Sequence, residues 1–138
     1  MSEVTYLFFG YASEYVLHPL YNYMQQRGFR CVELDFFTVK NVRSILESLK
    51  GKAVVLINSA HVFFDKKNFD HFQCVAETVS VLEVIDYLQP IRTIYVPHDL
   101  VHLYHKRELP WLSCFDYLLV PVSCPTSLWF HPNVIEVG

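Results

Sequence analysis

Apolar residues fall into two rhythms along this chain, and the rhythms alternate. Unbroken apolar runs of strand length give way to stretches where apolar positions recur every three or four residues, the spacing of one helix face. Val4-Thr5-Tyr6-Leu7-Phe8-Phe9 predicts a buried first strand stopped by Gly10. A helix follows after Ser13 or His18. Its regular part runs from about Pro19, which a first turn tolerates, to Arg27, with Gly28 as its C-terminal stop. Phe29-Arg30-Cys31-Val32-Glu33-Leu34 predicts the second strand, ending at Asp35. Val42, Ile45, Leu46 and Leu49 have helical spacing, and Gly51 closes that helix. Ala53-Val54-Val55-Leu56-Ile57 carries no charge and is rich in β-branched residues, as a central parallel strand should be.

The second half continues the alternation. Residues 59–70 read as a loop bearing Phe63, Phe64 and Phe69. Phe72, Val75, Val79, Leu82, Ile85 and Leu88 then predict one long amphipathic helix ended by Gln89-Pro90. Ile91-Arg92-Thr93-Ile94-Tyr95-Val96 predicts a fourth strand, and a weaker helix covers about 101–108. Tyr117-Leu118-Leu119-Val120 predicts a fifth strand. A proline-containing turn leads to a sixth, Val134-Ile135-Glu136-Val137. Alternation of this kind predicts one domain over residues 1–138, an α/β three-layer sandwich around a mostly parallel, Rossmann-like sheet of five to six strands.

Composition narrows the function classes. With 52% hydrophobic residues in 138, the chain can bury one real core. The 11 Phe and 9 Tyr are expected mainly in that core, with some rings left for a groove or a partner surface. Net charge is -3, and no basic run exceeds two residues, so a nucleic-acid surface is not expected. No apolar stretch approaches the ~20 residues that span a bilayer. Four cysteines without a CxxC pair, and an N-terminus without a basic leader region, predict reduced thiols and a cytoplasmic protein. The chain stops one residue after its last strand, from which we expect a domain boundary within a larger protein.

Ligands of open parallel sheets bind outside the carboxyl ends of the strands. The residues that fall there are Tyr11, Ser13 and Glu14 after strand one, Asp35 after strand two, and Asn58, Ser59 and His61 after strand three. His98 and Asp99 follow strand four, and Ser123 and Thr126 follow strand five. Together they form the expected ligand rim. The first loop has a single glycine, so it is neither a dinucleotide fingerprint nor a P-loop, though backbone N–H groups at a helix start can still hold an anion. His98, His102 and His105 are spaced to share a helix face. Without an HExxH pattern, solvated or capping histidines are expected there rather than a metal site. There is no GxSxG elbow for nucleophilic catalysis. Cys74 and Glu77 are helix neighbours, and Asp116 reads as a turn residue before strand five. The residues themselves imply no particular cofactor.

Two resemblances add to this. Leu88-Gln89-Pro90-Ile91-Arg92-Thr93-Ile94-Tyr95-Val96-Pro97-His98-Asp99-Leu100, then Phe115-Asp116-Tyr117-Leu118-Leu119-Val120-Pro121, then Asn133-Val134-Ile135-Glu136-Val137-Gly138, resemble the N-terminal domain of GT-B-type glycosyltransferases, in particular the CDP-glycerol glycerophosphotransferase-like group. That resemblance implies an acceptor-side domain that binds a nucleotide-, sugar- or phosphate-bearing ligand, with His98 as an acceptor or phosphate contact. It also implies that the domain is not a complete transferase by itself and works with a further C-terminal domain or another protein. Leu7-Phe8-Phe9-Gly10-Tyr11-Ala12-Ser13-Glu14, Pro19-Leu20, Arg27-Gly28-Phe29 and Cys74-Val75-Ala76-Glu77 are similar to TIR domains. This second resemblance implies a signalling or NAD-cleaving domain with Glu77 catalytic and residues 11–14 bordering the nucleotide. A third reading is a protein-interaction module that uses its aromatic residues.

Overall fold

The computed structural model describes residues 3–10, 17–35, 42–58, 79–96, 113–121 and 133–137. Within them six strands form one sheet. These are β1 (Thr5–Gly10), β2 (Arg30–Asp35), β3 (Val54–Asn58), β4 (Arg92–Tyr95), β5 (Tyr117–Pro121) and β6 (Val134–Val137). Their spatial order is β2-β1-β3-β4-β5-β6, and every neighbouring pair is parallel. The run without charge at residues 53–57 becomes β3, buried at all five of its positions. That burial follows from its place between β1 and β4 with both faces covered.

Three helices are described: α1 (Leu17–Gln26), α2 (Val42–Leu49) and α3 (Val81–Leu88). The chain steps outward from β1 to β2, then back past β1 to β3 and on to β4. Right-handed crossovers therefore put α1 on one face of the sheet and α2 and α3 on the other. Under α1, Phe8, Val55 and Ile57 meet Leu17, with Tyr6, Leu20, Tyr21, Met24, Cys31 and Ile94 around them. The Phe8 and Tyr21 rings meet edge to face at 5.4 Å, the geometry their quadrupoles favour. The alternate strand positions Leu7, Phe9, Leu56 and Leu118 carry the opposite face and are wholly buried. Each such side chain contributes about 1.5–3 kcal/mol by leaving water. The helices on that side bury Val42, Leu46 and Leu49 from α2, and Val81, Val84 and Leu88 from α3. They also touch each other, with the Lys50 ammonium 4.2 Å from the centre of the Tyr87 ring.

The helix ends show which local signals operate. α1 begins at Leu17, two residues before the expected Pro19, which sits in the first turn where an N–H has no helical acceptor to lose. It stops at Gly28, whose φ of +87° only glycine adopts without strain. There the Phe29 N–H donates to the Met24 carbonyl at 3.1 Å and the Gly28 N–H to the Gln25 carbonyl at 3.0 Å, the paired bonds of a Schellman stop.

One expectation needs correction. Residues 72–88 do not form one continuous helix, because Ser80 is extended (φ −78°, ψ 161°) and caps a new helix that begins at Val81. The Ser80 hydroxyl accepts from the Glu83 N–H at 3.2 Å, and the Ser80 N–H donates to Glu83 Oε2 at 2.8 Å. This reciprocal box satisfies two N–H groups that a continuous helix would have bonded differently. The buried face is consequently Val81, Val84 and Leu88, while Leu82 is exposed. The expected helix over 101–108 and the loop over 59–70 lie outside the described residues.

Candidate functional site

Strand order reverses between β1 and β3, since the chain leaves β1 in one direction and returns on its other side. In doubly wound sheets the crevice at the carboxyl ends beside such a switch point is where ligands bind. Register fixes which residues share that edge. Gly10 pairs with Asp35, Phe9 with both Leu34 and Asn58, and Asn58 with Tyr95. Of the expected rim, Asp35 and Asn58 are therefore brought to one edge of the sheet. Tyr11, Ser13, Glu14, Ser59, His61, His98, Asp99, Ser123 and Thr126 lie outside the described residues, as do Cys74, Glu77, His102 and His105.

Asn58 is the polar residue at the switch point itself. It is a poor strand former ending an otherwise aliphatic strand, where Val or Ile would pack better. Its side chain is fully buried. Its Nδ2 donates to the Phe9 carbonyl across the β1–β3 seam at 3.1 Å, and its main-chain carbonyl accepts from the Val96 N–H at 2.9 Å. One residue thus ties the end of β1 to β3 and fixes where the chain leaves β4. The amide's remaining acceptor, Oδ1, has no hydrogen-bond partner. A buried carbonyl left without a donor costs about 1–3 kcal/mol, and native proteins tolerate few of them. The sequence singled out Asn58 as a rim group but gave no sign that half of its amide is spent inside the protein.

On the opposite face, Tyr21, Cys31 and Glu33 form a small titratable group where α1 crosses β2. Burial first, then the Glu33 carboxylate and Cys31, push the Tyr21 phenol above its ordinary value, and burial pushes the Cys31 thiol up. Both shifts favour the neutral form of the group.

A groove of about 300 Å³ runs between α2 and α3, lined by residues that include Arg43, Leu46, Glu47, Asp86 and Tyr87. Among the described residues its lining contains no strand-end residue, and Glu83 on its wall is occupied by the Ser80 cap. Among the described residues no three His, Cys, Asp or Glu side chains gather to hold a metal. No helix among them is long and apolar enough to cross a membrane. In comparisons with protein families, curated proteins and solved structures, none matches this chain.

Proposed function

We propose that this chain is a binding domain which takes a nucleotide-, sugar- or phosphate-bearing ligand at the carboxyl ends of its strands, in the manner of the acceptor-side domain of a GT-B-type transferase. The observation that carries the reading is the unpaired Oδ1 of Asn58 at the β1–β3 switch point, where doubly wound sheets bind their ligands. The ligand class rests on the resemblance borne by residues 88–100, 115–121 and 133–138. In this reading the loop with Tyr11, Ser13 and Glu14 borders the ligand, and His98, just beyond β4, contacts its phosphate or acceptor end.

The test is thermal unfolding of the purified protein with UDP-glucose, CDP-glycerol, NAD or inorganic phosphate. A ligand at 100 times its Kd adds about 2.7 kcal/mol, which is several degrees in a domain of this size. The expected outcome is a rise with a nucleotide-linked sugar or polyol that His98→Ala removes. Nicotinamide release from NAD, abolished in Glu77→Ala, would replace the proposal with the TIR-like reading. No rise with any of the four would overturn the proposal in favour of a protein-interaction module.

A further inference from the structure

We draw no further inference here: the strongest candidate, the groove between α2 and α3 with the Glu47 and Asp86 carboxylates on its walls, is an acidic cluster beside the buried Leu46 and Val79, and nothing in the structure shows what covers it.

Discussion

Thr93 and Asp116 hold each other from both directions. The Thr93 N–H donates to Asp116 Oδ2 at 2.8 Å, while the Asp116 N–H is shared between the Thr93 hydroxyl at 2.9 Å and the Thr93 carbonyl at 3.0 Å. The hydroxyl in turn donates to the Cys114 carbonyl at 3.2 Å. These bonds fasten the entry of β5 to the start of β4, at the end of the sheet opposite the ligand rim. Asp116, a turn residue by its sequence, thus sets the register of two strands.

The consequence for stability is direct. In Asp116→Ala the Thr93 N–H loses its acceptor in a part-buried setting, and the expected loss is about 1–3 kcal/mol. Asp116→Asn keeps one side-chain oxygen and should lose less. Urea denaturation of the three proteins measures this, and equal midpoints for wild type and Asp116→Ala would refute it. Ligand affinity should be untouched, because the strand ends are far from this lock.

The α3 cap makes a second, independent prediction. Ser80→Ala removes the oxygen that accepts from the Glu83 N–H and should cost about 1 kcal/mol, while Glu83→Gln keeps a side-chain acceptor for the Ser80 N–H and should cost little. Equilibrium denaturation separates the two. A larger loss in Glu83→Gln than in Ser80→Ala would mean that the Glu83 carboxylate matters through its charge rather than through the cap.

A third prediction concerns pH. Tyr21 and Cys31 both have raised values, so the folded protein holds their protons more tightly than the unfolded chain does. The stability this contributes is complete below the ordinary thiol and phenol values of about 8.5 and 10, and is lost as pH rises through the raised ones. Tm should therefore be level from neutral pH to about 8.5 and fall beyond it. Cys31→Ser should flatten the lower part of that fall and Tyr21→Phe the upper part. An alkaline limb identical in all three proteins would show that other groups cause it.

What could be read from residues alone divides along physical lines. β3 stood out because an uncharged, β-branched run has few alternatives, and Gly28 and Gly51 marked helix ends because both sit at positive φ. α3 was misread because Val79, Leu82, Ile85 and Leu88 keep helical spacing across a break. The Ser80-x-x-Glu83 box was the signal that a new helix starts there. Strand order was beyond reach, since periodicity says that a strand is covered but not by which neighbour. For the same reason Asn58 could be placed at a strand end while its bond to Phe9 could not, because that bond exists only once β1 and β3 are paired.

That bond spans 49 positions of sequence, and it closes the seam between the first strand and the third. Among the described strands every pairing is parallel, so each neighbour must be reached through a crossover rather than a hairpin. The β1–β2 pair can form as soon as α1 is made, but it presents a bare flank until the β3 segment arrives and docks on β1's other side. Assembly is accordingly dominated by distant contacts, which places this chain among the slower folders for its size. During synthesis, the unpaired edge of β1 is the surface most in need of protection from other chains.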